Sequence, residues 1–444
     1  MKRFIALFKE KPFISSLSLT FSELLYNYSL LLFVTQVYSA EDVGRWFIFF
    51  AVFNLSINIR EGVLYVALVK FSSGKEDETA HSTYKTVLYA LLLIESLIGA
   101  VIFAIGYYDF FPEVSALLLF YPLYSISNNC LKWIENIHKS RGELYKAVMI
   151  NFTTLLMLFT AFFYFSNYPV ELSNLIIYLS GLYFVSFLIG LSSIPTFKIV
   201  ISKFNKKTFK HIMHYAKQGT LKAIFGTLAS RMTLFISAGI LSLEVTALLG
   251  VAQRYLVLIL SLSNAIQLIF YPKIVLLFEQ GNLRHFKLEF TKTIKRVYTL
   301  IVPISIAFLI VIKPLLGILH GEGYGESFHL LVILIMSAQF SPLGAFFGSY
   351  TNAIGKPQYS TNVVVINSCI LIFSSYFFVK FFGELGTVLP LLVTEIIGFF
   401  IIYNYYQKYE RINIILLMLR TPKLYLIYFR RAKQLYHLKF KKTS

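Results

Sequence analysis

Runs of roughly 20 apolar residues recur along this whole chain, the length an α-helix needs to cross about 30 Å of hydrocarbon. One of them, VLYALLLIESLIGAVIFAIGYY (Val87–Tyr108), is apolar on every side. It fits neither the alternation of a membrane β-strand nor the one-sided stripe of a soluble helix. Only 14% of the 444 residues are charged, and mean hydropathy is +0.67. A soluble domain carries about 25% charged residues, so this chain cannot clothe a water-facing surface. The expected fold class is an all-α polytopic membrane protein.

Marking the apolar runs predicts about 12 spans, near 13–38, 44–70, 85–107, 114–138, 147–166, 174–194, 218–240, 246–272, 295–316, 328–352, 361–382 and 387–407. Lys and Arg then orient them. Arg45, Lys313 and Lys380 fall in outer turns and Arg60, Arg231 and Arg254 within spans; all the rest of the 41 Lys and Arg collect on one side. The opposite turns carry Glu41, Asp42, Asp109, Glu113, Glu171, Glu244, Glu322, Glu326 and Glu384. Both termini are therefore expected in the cytoplasm.

The +19 formal charge is a topological signal spread over short loops, with no groove-binding motif that would suggest nucleic acid. Its second use is contact with anionic lipid headgroups. The segment 198–217 places Ile201, Phe204, Phe209, Ile212, Met213 and Ala216 among lysines at helical spacing, predicting an interfacial amphipathic helix. Arg420 and Pro422 break the tail run INIILLMLRTPKLYLIYFRR into pieces too short to span, so it too is expected in the interface. The start, MKRFIALFKEKP, lacks a small-residue cleavage site and runs into apolar sequence up to Tyr38, which reads as an uncleaved first helix. Cys130 and Cys369 both fall inside spans, leaving no disulfide framework, and His211 with His214 reads as a solvated helix face. No metal, cofactor or catalytic constellation is expected, and HGEGYG (His320–Gly325) reads as turn chemistry.

Against this background the in-span charges stand out: Glu23, Arg60, Glu61, Glu95, Arg231, Arg254 and Glu395. Each costs about 2.5–3.5 kcal/mol at mid-membrane unless it faces a cavity or a partner. Glu95 reads as an ion-paired or protonated structural acid. Arg60 and Glu61 are adjacent, about 100° apart on a helix, and cannot pair with each other. One of them is expected to face a water-filled cavity while the other pairs elsewhere.

The chain also repeats itself. The basic segment 195–217 separates a first bundle, 1–194, from a second, 218–407, with a basic tail at 408–444. Each bundle opens with a long span and an acidic outer turn, YSAEDVG (Tyr38–Gly44) and LSLEVTALLG (Leu241–Gly250). Each fourth span ends in a glycine turn followed by Tyr and then Ile-Asn: RGELYKAVMIN (Arg141–Asn151) and GKPQYSTNVVVIN (Gly355–Asn367). Matches at corresponding positions predict two six-helix bundles related by a pseudo-two-fold axis along the membrane normal.

LEVTALLGVAQRYLVLILSLSNAIQLIFYPKI resembles the seventh-to-eighth-span region of the polysaccharide flippases. GEGYGESFHLLVILI with AIGKPQYSTNVVVIN is similar to their ninth-to-eleventh region, and YSAEDVGRWFIFFAVFNL to their second span. These exporters of lipid-linked O-antigen and capsule units share a superfamily with the multidrug and toxin antiporters and the lipid II flippases. The resemblance implies flipping of an undecaprenyl-pyrophosphate-linked oligosaccharide by alternating access, a proton or sodium counter-ion, and polymerase or assembly proteins as partners.

Guanidinium groups bind phosphate oxygens bidentately. Under this resemblance Arg60, Arg231, Arg254 and Lys222, with Asn58 and Asn264, are the candidate substrate contacts, and Glu23, Glu61 and Glu395 the candidate ion-coupling acids. If the arginines instead only balance buried carboxylates, Glu23 is the first candidate partner of Arg231. A multidrug cation antiporter of the same superfamily is the alternative. A membrane polymerase or ligase fits less well, because no outer loop is long and none carries paired carboxylates.

Overall fold

The computed structural model describes residues 12–60, 64–72, 78–167, 170–194 and 206–410, with the single positions 199, 204, 412, 413 and 415. Its helices coincide with the twelve expected spans. The first half contains α1 (Pro12–Val37), α2 (Ala40–Arg60), α3 (Val66–Ser72), α4 (Glu78–Tyr107), α5 (Ser115–Leu118), α6 (Tyr121–Ser140), α7 (Leu144–Asn167) and α8 (Leu172–Leu191). The second contains α9 (Lys206–Ile240), α10 (Leu243–Glu279), α11 (Leu283–His320), α12 (Ser327–Ala338), α13 (Ser341–Ala353), α14 (Pro357–Phe382) and α15 (Leu389–Tyr405). Among the described residues, 8 helical segments are long and apolar enough to cross a membrane. The other four spans are α1, α2 with α3, α5 with α6, and α9.

Local chemistry at the repeat positions is the same in both halves. Ser39 and Ser242 cap the helices that follow, each hydroxyl accepting from the backbone N–H three residues on, at Asp42 and Val245, both 3.2 Å. Spans four and ten both break just before a proline: α5 gives way to α6 at Phe120-Tyr121-Pro122, and α12 to α13 at Phe340-Ser341-Pro342. Proline fits the first turn of a helix, where its missing N–H is no loss. Both spans then end in a glycine with positive φ, Gly142 at 70° and Gly355 at 71°. The residue after each glycine donates to the carbonyl five back, Glu143 to His138 at 2.9 Å and Lys356 to Thr351 at 2.8 Å. That is a Schellman closure, and it needs a residue without a Cβ penalty at the left-handed position.

The chain divides into two compact units. The first holds the described residues up to Ala238 with Ser242–Ala247, and the second Gly239–Leu241 with the described residues from Leu248 on. The division falls one helix later than the basic segment 195–217. Nor is the inner part of that segment a separate interfacial helix: α9 runs unbroken from Lys206 into span seven. Lysines extend a helix as readily as they solvate one, so the boundary disappears. The tail beyond 415, the start up to 11, and the side chains of His211 and His214 lie outside the described residues.

In the first unit α6 packs against α4 and α8, and α1 against α7. Small residues let the backbones close: a Cβ on Gly99 would meet Pro122 at 3.2 Å, and one on Gly190 would meet Ile134 at 3.1 Å. Lipid tails are as apolar as leucine, so such close packing and interhelical hydrogen bonds hold membrane helices together. The faces sort accordingly on α4. Tyr89, Leu93, Leu97 and Val101 form an exposed stripe, while Val87, Leu91, Glu95 and Gly99 are buried. In the second unit α15 packs on α12, α13 and α14. The segment after α11 is a 3₁₀ turn, Glu322–Glu326, entered through Gly321 at φ 100°, as the glycines of that stretch predict.

Candidate functional site

The charged and hydroxyl side chains of the first unit gather along one stripe of α6: Tyr121, Ser125, Asn128, Asn129, Lys132, Glu135 and Asn136 recur at helical spacing. At one end, Arg60, the last residue of α2, is wholly buried. Its guanidinium pairs with the equally buried Glu95 of α4. It also donates to Ser125 Oγ at 3.2 Å and Ser56 Oγ at 3.0 Å. The Ser125 hydroxyl donates to the other Glu95 oxygen. Ser56 shares a 2.5 Å hydrogen bond with the Tyr121 hydroxyl, and the guanidinium lies 5.8 Å from the Phe53 ring centre. Phe53, Ser56 and Arg60 fall on one side of α2, so a helix that looks apolar delivers a single polar edge.

Glu95 is thus an ion-paired structural acid, as expected. Of the adjacent Arg60 and Glu61, Arg60 is thus the one that pairs with another helix. An uncompensated Glu95 inside the unit would cost several kcal/mol, and Arg60 is the cation that removes that cost. Glu61 and the side chain of Asn58 lie outside the described residues.

Farther along the stripe, the Lys132 ammonium bridges Glu135 Oε2 at 2.8 Å and Glu23 Oε1 of α1 at 3.2 Å. Glu23, the candidate partner of Arg231, thus meets a cation of α6. Beside this trio three tyrosines form a hydroxyl chain, Tyr26 donating to Tyr183 at 2.9 Å and the Tyr124 and Tyr183 hydroxyls sharing a hydrogen bond of 3.3 Å. Asn129 is committed to the Ser125 carbonyl at 2.6 Å and receives the Tyr65 hydroxyl. Lys132 and Glu135 escaped the sequence reading because they fall toward the inner end of the expected span 114–138 and were set aside with the span-end charges. The polar period from Ser125 to Asn136 was the available signal.

Just past α6, the turn carboxylate of Glu143 takes bonds from Lys146 at 3.0 Å and from His138 at 3.2 Å. Burial pushes Glu143 up, but those bonds and the Arg141 and Lys146 charges outweigh it and hold it below the usual carboxylate range.

Among the described residues of the second unit no Asp, Glu, Lys or Arg is fully buried. Glu395 of α15 is half-buried and acts electrostatically on the buried Tyr298 of α11. One turn on, Gly398 leaves room for the Asn367 amide, which a Cβ would collide with. Asn367 Oδ1 and Gln339 Oε1 are buried acceptors that meet no donor. Gln267 is spent on α13, donating to Ser349 Oγ at 2.7 Å. Arg231 on α9 and Arg254 on α10 are half-buried, Asn264 is exposed, and the Lys222 side chain lies outside the described residues. Among the described residues no group of His, Cys, Asp or Glu could hold a metal ion.

Comparison with known proteins agrees with this architecture. A family model described as polysaccharide biosynthesis protein matches residues 123–329, from α6 to α12. The capsular polysaccharide biosynthesis protein CapF of Staphylococcus aureus is 28% identical over 155 residues, 34% of this chain and 37% of that protein, so the match spans little more than a third of the relative. The fold matches the lipid II flippase MurJ in an inward closed conformation (TM-score 0.72, 15% identity, 94% of this chain and 92% of that one). It also matches an inward-facing multidrug resistance MATE family transporter of the MOP superfamily (TM-score 0.68, 13% identity, 88% and 94%). The chain is a multi-pass membrane protein that shares its fold with these transporters and, over residues 123–329, resembles the polysaccharide biosynthesis proteins.

Proposed function

We propose that the chain is a flippase that carries an undecaprenyl-pyrophosphate-linked oligosaccharide repeat unit across the cytoplasmic membrane by alternating access, for surface polysaccharide assembly. The observation that carries this is the family match itself. Its 123–329 stretch contains the α6 stripe, Arg231 and Arg254, the polar residues a transporter has reason to keep in a membrane. With both termini cytoplasmic, the basic segments lie on the side where the substrate is made. An outward-moving pyrophosphate gains about 2.3 kcal/mol per charge per 100 mV of inside-negative potential. No bond is made or broken, so the protein is a transporter and not an enzyme. The working units are the bundles 1–194 and 218–407, with 195–217 and 408–444 as basic cytoplasmic segments.

In this reading Arg231 and Arg254, with Lys222, Asn58 and Asn264, hold the headgroup, and Arg60 joins them only on leaving Glu95. Glu23, Glu61 and Glu395 are the acids through which a proton or sodium ion returns. Membrane lipids and the polymerase machinery are its partners. The cation antiporter reading makes the same acids the substrate site and gives the arginines only balancing roles.

Surface glycan, normalised to folded protein in the membrane, separates the two. A lysine cannot reproduce the bidentate fork of an arginine. Arg231→Lys and Arg254→Lys should therefore lower export about tenfold, nearly as far as the alanine variants. Full export by both alanine variants would end the pyrophosphate reading and leave the cation antiporter.

A further inference from the structure

Lys132 and Lys139 stand seven residues apart on α6, and so on one face. Lys132 is shared between two carboxylates held in different ways. Glu135, on the same helix, is 0% exposed and 2.8 Å away; Glu23, from α1, is 37% exposed and 3.2 Å away. Glu23 also lies in the field of Lys139. Two lysines against two carboxylates make a neutral group, the arrangement a membrane tolerates. Separating Lys132 from Glu135 would strand a buried carboxylate, which is costly. Separating it from Glu23 breaks a half-exposed pair, which is cheap. Glu23 is therefore the member that yields, and its departure leaves two ammonium groups facing one carboxylate.

We propose that Lys132 and Lys139 form a docking place for a phosphate-class anion, and that Glu23 is the chain's own stand-in, covering the lysines until such an anion displaces it. The proposal rests on the reading of the chain as an exporter of a pyrophosphate-linked substrate, and names a stopping point for that headgroup within the first unit. Lysine suits a stopping point: a compact charge on a flexible stem follows a moving phosphate without the geometric demand of a guanidinium fork. The hydroxyl chain Tyr26–Tyr183–Tyr124 lies beside the trio and offers further donors.

The test is calorimetric titration of inorganic pyrophosphate into the full-length protein in zwitterionic nanodiscs. Glu23→Gln removes the competing charge and should bind about tenfold tighter than wild type, while Glu23→Asp, which keeps it, should not. Lys139→Gln should bind at least fivefold more weakly. Lys132 alone is an unsafe target because Glu135 would be left bare. The double variant Lys132→Gln/Glu135→Gln removes the pair together and should abolish the titration with the protein still folded.

Equal affinity in wild type and Glu23→Gln, or no pyrophosphate binding to either, overturns the proposal, as does unchanged binding in the two lysine variants. Repeating the titration with phosphatidylglycerol in the disc separates two sources of phosphate. If that lipid suppresses pyrophosphate binding to the wild type, the site takes bilayer headgroups and the assignment to substrate fails. Glycan export lost in the arginine variants but retained in these would leave the exporter reading standing and remove this site from it.

Discussion

Arg60 and Glu95 sit wholly inside the first unit, whereas the second unit is filled around Phe290 by rings. Phe290 lies 5.1 Å from Tyr350 and 4.8 Å from Tyr406 between ring centres, and Phe270 lies 5.2 Å from Phe346. The first unit has rings too, but they flank hydroxyls and charges: Phe53 packs 4.7 Å from Tyr124 and under the Arg60 guanidinium. The ion pairs Lys273–Glu289 and Lys287–Glu410 of the second unit lie toward the ends of its helices. Charges fix helices by direction and can be captured by a competing ion. Rings fix them by shape, and a competing ion finds nothing to replace. A substrate that acts through charge therefore has more to engage in the first unit.

Three measurements would break or sharpen this contrast, all by thermal unfolding of purified protein in micelles. The largest effect is expected from Glu95→Ala, which strands the Arg60 charge and should cost about 3–5 kcal/mol. Arg60→Met with Glu95→Leu should recover most of it. A double variant as unstable as the single one would deny the pair its organising role.

Next comes a hydrogen bond buried in the second unit, His320 Nε2 lying 2.7 Å from the Tyr255 hydroxyl. Tyr255→Phe removes that bond and should cost about 2 kcal/mol; an unchanged midpoint would mean that the bond contributes nothing to stability. The smallest effect is Phe290→Leu, about 1.5 kcal/mol, with no dependence on salt. A salt-dependent loss there would mean that charge reaches the ring core after all.

Much of this fold was legible because it is written in local chemistry. Apolar run length marked the spans, and the glycine turns at Gly142 and Gly355 and the acidic outer turns marked the repeat. The site was harder to read. Arg60 and Glu95 meet through Ser56, Ser125 and Tyr121, ordinary residues whose roles depend on three helices converging. Lys132 and Glu135 lay inside the expected span 114–138 but near its inner end, where charges are ordinary topological signals, so their pairing went unread. The lysine-rich start of α9 was expected as a helix of its own, and its lysines gave no sign that it runs on into span seven.

The Phe-x-Pro joints of spans four and ten have a mechanical meaning. In an unbroken helix a bend must stretch or sever a backbone hydrogen bond. Pro122 and Pro342 have no N–H to offer the carbonyls of Leu118 and Ala338, so at these two places that bond does not exist to be lost. Each joint is a pivot held by short turn bonds, Phe120 N–H to the Leu117 carbonyl at 3.1 Å and Phe340 N–H to that of Ser337 at 3.0 Å, and by side-chain packing. The two limbs of each span can tilt separately, and a displacement at one membrane surface need not be carried to the other.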